Sequence, residues 1–408
     1  GDTIYGGTTS ADSGLDTLDY SYITTSVAIN ADLSRTNNQE VYQVGTSSNY
    51  DHLVDIENVV GTKNADIIKG SDNFAITNTL DGYKGNDTFY SSKGIDSFIG
   101  ALGIGTLDFS NVNLSTDGNR VIVDLGLLKV TDDGYHNGVT VIEDYVSEVE
   151  IVIGTTGNDT LYGDSNANTL IGNSGNDVIN GREGSDSLDG GIGNDTINGG
   201  IDADIILGGT GNDNLQGDAG NDTINADDGD DTVSGGEGND TFYAGNGVDT
   251  LYYANSESGI TYTLVNNTSD ASGNFATVSS ISDGDDILKT HFERLIATNY
   301  ADTIDLRNTV AGNCTILGYC GADIIYSSAG FSDTIFGGDA NDLIYANGGN
   351  NSYYGGNATI DASGVITGSS GSGDDRVSYI FATSGINVDL SKAANTTTSN
   401  VTENGFGG

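Results

Sequence analysis

The sequence of 408 residues has no proline, no methionine and no tryptophan, and only two cysteines. Proline has no amide hydrogen, so a chain without it offers every backbone donor to its strands. Two cysteines cannot make the disulfide framework of a small secreted domain. Basic residues are scarce as well: 13 Lys and Arg stand against 59 Asp and Glu, a formal charge of −46. No phosphate-neutralising surface can be assembled from that balance, so nucleic acid is excluded as a partner and anionic membrane surfaces repel the chain. No run approaches the roughly 18 apolar residues of a transmembrane helix, and no charged-then-apolar leader opens the sequence. The chain reads as soluble and not membrane-spanning, with cations or neutral surfaces as its partners.

What is abundant points elsewhere. Glycine numbers 61, and 36% of residues are hydrophobic, with 21 Tyr and 11 Phe, enough for a core. The acid is 49 Asp against 10 Glu. Aspartate favours turns and short-armed coordination, so the charge belongs in loops.

From Gly154 to Tyr252 the chain divides without insertion into eleven nine-residue units, among them GTTGNDTLY, GGIGNDTIN, GDAGNDTIN and GGEGNDTFY. Position 8 is apolar in all eleven, from Leu161 to Leu251; position 6 is Asp in ten, with Asn168 the exception; positions 1 and 4 are each Gly in nine. Such phasing identifies a solenoid. Positions 7 to 9 read as a short strand with one inward side chain, and positions 1 to 6 as the turn. Glycine at 1 and 4 permits positive φ, so carbonyls converge beside the Asp at 6. That pocket presents only oxygen, which suits a hard cation with six to eight flexible ligands, calcium better than magnesium. Zinc lacks its Cys and His ligands there. The 99 residues hold 17 Asp and two Glu against Arg182, a net of −18 that nine divalent ions match.

These units resemble the repeats-in-toxin (RTX) family and its G-G-x-G-x-D-x-U-x calcium-binding nonapeptide. The resemblance implies a parallel β-roll of two nonapeptides per coil, with several Ca2+ ions each held by the aspartates of repeats n and n+2. On one edge these are Asp159, Asp177, Asp195, Asp213, Asp231 and Asp249, paired in succession; on the other, Asp186, Asp204, Asp222 and Asp240, with Asn168 and Asp186 a weaker site. The fold class is therefore all-β, a β-solenoid with calcium-binding turns and inserted β-rich excursions.

Looser units continue outside the array. They carry further candidate ligands: Asp66, Asp87 and Asp96 before it, and Asp302, Asp323, Asp333, Asp342 and Asp375 after it. In GALGIGTLD, Gly105 stands where the Asp belongs. A longer repeat overlays these units. Strand-like segments opening at Gly14, Gly103, Gly247 and Gly373 lead into excursions, and return segments place Glu57, Glu150 and Glu293 each nine residues before a position-6 Asp. The organisation expected is a truncated repeat over 1–13, modules over 14–102, 103–246 (whose main roll is 154–252) and 247–372, and the start of a fourth over 373–408. A repeat cut at both ends reads as an excerpt from a longer array. Only HFERLI tempts a helical reading.

Catalytic signatures are missing. The three histidines form no H-E-x-x-H, and no G-x-S-x-G or phosphate loop is present. The chain is expected not to be an enzyme. Cys314 and Cys320, six apart across a reversal at Gly318-Tyr319, form either a disulfide or two free thiols. Outward tyrosines at position 9, such as Tyr162, Tyr326 and Tyr345, serve either strand propensity or an aromatic stripe for packing or sugar stacking. The leading functional expectation is a calcium-dependent structural segment of a secreted bacterial cell-surface protein: a surface layer, filament or long adhesin. Its partners are calcium, further copies or neighbouring modules, and cell-surface carbohydrate. The alternative is an accessory calcium-binding domain of a secreted toxin or enzyme whose active domain lies outside this chain. The resemblance further implies type I secretion.

Overall fold

The computed structural model describes residues 3–5, 15–23, 25–34, 39–44, 50–54, 56–71, 76–92, 95–112, 120–132, 143–264, 275–307, 312–356, 358–360, 366–368 and 375–378. The truncated repeat over 1–13 lies outside them apart from 3–5, as do Gly14, Gly373 and the start of the fourth module apart from 375–378. Two compact units form, Gly1–Ile201 and Asp202–Gly408. Among the described residues there is no helix; the HFERLI window is a bend followed by the strand Arg294–Ile296.

Both units are parallel β-solenoids. In the first, Thr160–Tyr162, Val178–Glu183 and Thr196–Ile201 pair in one sheet, with Leu161 beside Ile179 and Ile179 beside Ile197. The other sheet stacks Ile151–Ile153, Thr169–Ile171 and Ser187–Ile192. In the second unit, Ile206, Ile224 and Phe242 stand in one column, and Leu215, Val233 and Leu251 in another. Neighbours in a column are 18 residues apart, so two nonapeptides make one coil. All eleven position-8 side chains of the array are at most 1% exposed. Burying each contributes about 1.5–3 kcal/mol, and their columns are the core.

Two details of the turn depart from the sequence reading. The central strands run six residues, as in Val178–Glu183 and Thr223–Asp228, through position 3 of the next unit. Position 1 also faces inward there, so pairing continues and the turn shrinks to positions 4 to 6. Positive φ falls on positions 2 and 4, not 1: Asn173, Arg182, Asp218 and Asp227 adopt it at position 2, Gly175 and Gly193 at position 4. Position 1 is glycine for space. A Cβ at Gly172 would lie 2.3 Å from Asp177 Oδ2, and one at Gly235 would lie 2.0 Å from Asp240 Oδ2.

The three excursions among the described residues are three-stranded antiparallel meanders spliced into the parallel sheets. In the third, Ile260–Leu264, Ala276–Ser280 and Gly284–Leu288 pair antiparallel in chain order. Two reversals leave the outer strands running the same way. Gly284–Leu288 therefore pairs parallel with Thr241–Tyr243, and Ile260–Leu264 with Thr303–Asp305. The first meander, Ile29–Asp32, Gln39–Gln43 and Tyr50–Val54, is joined in the same way to Thr3–Tyr5 and Ile67–Lys69. The second, Ile122–Asp124, Lys129–Asp132 and Asp144–Ser147, is joined to Ile95–Ile99 and Thr160–Tyr162. Inward residues such as Ala31, Val123, Tyr262 and Val278 are buried and extend the core.

Candidate metal sites

Short strands fix the position-6 residue at the mouth of each turn, where its amide and carboxylate meet those of the next coil. The amide of Asp159 donates to Oδ1 of Asp177 at 2.7 Å, and that of Asp177 to Oδ1 of Asp195 at 2.7 Å. The second unit repeats this from Asp204 to Asp222 to Asp240, and from Asp213 to Asp231 to Asp249, over 2.8–3.1 Å. Asn168 donates to Asp186 in the same manner at 2.7 Å. At position 5 a second ladder runs the other way: the Asn176 amide donates to Asn158 Oδ1 and the Asn194 amide to Asn176 Oδ1, each over 2.9 Å.

The flanking aspartates join ladders of the same kind. Asp66 donates to Asp87, and Asp302, Asp323, Asp342 and Asp375 form a run. Asp96 lies between Asn78 and Asp144, and Asp333 between Cys314 and Asn351, so neither of these two is flanked by carboxylates on both sides. Seventeen of the eighteen candidate aspartates are at most 3% exposed, and Asp375 is half-buried.

Burial without a counter-charge is costly for a carboxylate. Desolvation pushes Asp177, Asp231, Asp87 and Asp342 up to about 7, opposed by the ladder amide and reinforced by neighbouring aspartates. Asp240 and Asp323 rise to about 8 for the same reasons. Oδ2 of Asp87, Asp177, Asp222, Asp231, Asp240, Asp323 and Asp342 is sealed from solvent and accepts no hydrogen bond. Each of these groups is held in a place where its charged form is unsatisfied.

The residues that open a ladder differ. Asp66, Asp159 and Asp302 each accept the amide and hydroxyl of a threonine four residues earlier, Thr62, Thr155 and Thr298. Each also accepts an amide from the first part of a meander, that of Ile29, Val121 or Ile260. Glu57, Glu150 and Glu293 accept the amides of Asp16, Gly105 and Asp249, the ladder place that an aspartate fills elsewhere. Gly105, which carries no carboxylate, is thus bonded to Glu150 at 2.7 Å.

The donor set fits calcium. The side-chain acceptors of the array ladders are carboxylate and carboxamide oxygens, and no three His, Cys, Asp or Glu side chains converge on a point among the described residues. The turns also stack backbone carbonyls in register: a Cβ at Gly193 would meet the carbonyl oxygen of Gly175 at 1.6 Å, and one at Gly229 that of Gly211 at 1.6 Å. Carboxylates joined by carbonyls in a flexible shell are calcium chemistry. Arg182, the one basic residue of the array, adds no charge to the ladders. It makes a two-pronged pair with Asp124 of the second meander at 2.7 and 2.8 Å.

Sequence reasoning missed Asn78, Asp144, Asp286 and Asn351, which hold ladder places, and Asp51, which stands at the equivalent register next to His52 opposite Thr3. Their signal is spacing: Asp51 and Asp144 precede Glu57 and Glu150 by six residues, and Asp286 precedes Glu293 by seven. Cys314 and Cys320 are both free thiols, Cys314 buried and 3.3 Å from His291 Nε2. The position-9 tyrosines pack on one another where they are adjacent, Tyr326 on Tyr345 at 4.6 Å with Arg307 over the Tyr326 ring; the side chain of Tyr5 lies outside the description. No described helix is long and apolar enough to cross a membrane.

The family described as RTX calcium-binding nonapeptide repeat (4 copies) matches this chain at residues 76–107, in six overlapping segments from 147 to 251, and at 329–358. No curated protein matches it.

Proposed function

Because the chain carries multiple RTX calcium-binding nonapeptide repeats, we propose that it is a calcium-dependent structural segment of a secreted bacterial cell-surface protein, rigid outside the cell and extended before export. The observation that carries this reading is the row of buried aspartates with unsatisfied Oδ2 atoms. An ionised roll without cations loses desolvation energy at every coil, whereas binding free energy at each site becomes folding free energy. The ladder aspartates hold the ions in successive pairs, Asp159 with Asp177, Asp177 with Asp195, Asp204 with Asp222, Asp222 with Asp240, Asp213 with Asp231 and Asp231 with Asp249, and in the flanks Asp66 with Asp87, Asp302 with Asp323 and Asp323 with Asp342. Asp66, Asp159 and Asp302 each serve one side only, their other side being closed by threonine.

The repeated modules of 14–102, 103–246 and 247–372, each with a meander, favour scaffolding over enzymic work. Electron microscopy of the protein in calcium tests the role. Sheets or filaments are expected, and a product that stays monomeric at saturating calcium contradicts it.

A further inference from the structure

The nonapeptide ladder of the second unit does not stop where the repeats stop. Its two edges end differently. On one, the amide of Asp249 donates to Oε2 of Glu293 at 2.9 Å, and Oε1 of the same carboxylate is bonded to His291 Nδ1 at 2.9 Å. The closing carboxylate of this edge is thus paired with a histidine.

On the other edge, the amide of Asp240 donates to Oδ1 of Asp286 at 2.9 Å. Asp286 lies in the last strand of the third meander, outside every segment matched to the repeat family. Here three carboxylates are buried together. Asp240 and Asp286 are each 1% exposed and Asp283 is 7% exposed, and Oδ2 of Asp240 accepts nothing. The hydroxyl of Tyr253 donates to Asp286 Oδ2 and feels the charge of all three carboxylates. Asp286 thus repeats the relation of Asp240 to Asp222, at the same register, from a strand of different origin.

We propose that Asp240 and Asp286 hold a calcium ion between the roll and the meander, so that this ion docks the meander onto the preceding coil. The inference rests on the calcium reading of the repeats and extends it to a meander carboxylate outside the matched segments, where Gly284, at φ 93°, and the bond from the Asp285 amide to Asn239 Oδ1 reproduce the repeat turn. The second meander carries the same relation, the Asp96 amide donating to Asp144 Oδ1 at 2.8 Å. The last strand of the second and third excursions then reads as a docking strand whose attachment depends on calcium, and the insertion as a calcium-gated element instead of a passive loop.

The test uses the whole chain. Calcium bound at saturation is counted by native mass spectrometry for the wild type and for Asp286→Asn, and amide exchange is followed over Ala276–Leu288. Asp286→Asn is expected to bind one ion fewer and to exchange over Ala276–Leu288 in calcium as the wild type does in chelator, while Val178–Glu183 stays protected. Tyr253→Phe keeps the carboxylates and is expected to keep the full count. An unchanged count and unchanged protection in Asp286→Asn overturn the proposal and leave the repeat sites intact; a wild type that binds no calcium overturns both. Should Asp286→Asn not fold, the wild type decides alone: protection of Gly284–Leu288 must rise with the same calcium midpoint as that of Thr241–Tyr243, and protection already present in chelator overturns it.

Discussion

The amide of Asp177 donates to Oδ1 of Asp195 at 2.7 Å, while Oδ2 of Asp177 accepts no hydrogen bond. One oxygen of each such aspartate builds the coil and the other waits for a cation. Asparagine can replace the first role and not the second. Asp177→Asn is therefore expected to raise the β-content that survives in chelator, where it removes a buried charge, and to lower the melting temperature in calcium, where it removes a ligand. Far-UV circular dichroism in chelator and thermal unfolding in calcium check the reversal; a change of the same sign in both contradicts it.

The pH dependence follows from the raised carboxyl groups. In the folded, metal-free chain Asp177 and Asp231 sit at about 7 and Asp240 and Asp323 at about 8, against an ordinary value of 3.8. The folded state then binds more protons than the unfolded state between these values, and its stability falls as pH rises. Metal-free roll is expected to be most stable near pH 4 and to weaken steadily up to about pH 8. Calcium affinity runs the opposite way, rising over the same window as the aspartates lose their protons. Urea melts in chelator from pH 4 to 6, where the metal-free roll is folded, and calcium titrations from pH 5 to 8 measure both slopes.

Space at position 1 is a separate requirement from conformation. A Cβ at Gly172 lies 2.3 Å from Asp177 Oδ2 and 2.6 Å from the carbonyl oxygen of Gly190. Gly172→Ala is expected to cost about 1–3 kcal/mol through overpacking and to weaken calcium binding at Asp177. Alanine at Asn173, where φ is 74°, carries backbone strain with no such clash, so its calcium midpoint is expected to move less.

Accessibility of the two thiols reports on folding. Cys314 is buried, and desolvation pushes it up to about 12. In calcium, thiol labelling at neutral pH is expected to leave Cys314 unmodified, and peptide mapping after transfer to chelator is expected to find it labelled. Equal labelling in the two conditions contradicts a calcium-dependent fold around Glu293 and Asp333.

Much of the roll was legible because its rules are local. Leu161, Ile179 and Ile197 recur at one phase of nine, and a nine-residue unit with one inward side chain leaves few foldings. The ladder place of Asp177 was equally plain, since aspartate repeats there. The meanders were not. Asp144 has no glycine two residues before it, and Asp286, which follows Gly284 by two, stands outside the phase of nine; only pairing of Asp144–Ser147 with Ile95–Ile99 and of Gly284–Leu288 with Thr241–Tyr243 brings them into line. Glycine at position 1 was assigned to positive φ because φ can be guessed from composition; the collision with its own aspartate appears only once the carboxylate folds back over the turn. Cys314 concealed its ladder place behind a side chain that no nonapeptide rule anticipates.

The central claim is that folding of this chain is coupled to calcium through the buried aspartates. A calcium titration of the metal-free chain at pH 7.5, followed by far-UV circular dichroism, tests it most directly. A disordered spectrum in chelator that converts cooperatively to a β-rich one as calcium is added is the expected result. A β-rich spectrum in chelator, unchanged by calcium, contradicts the account.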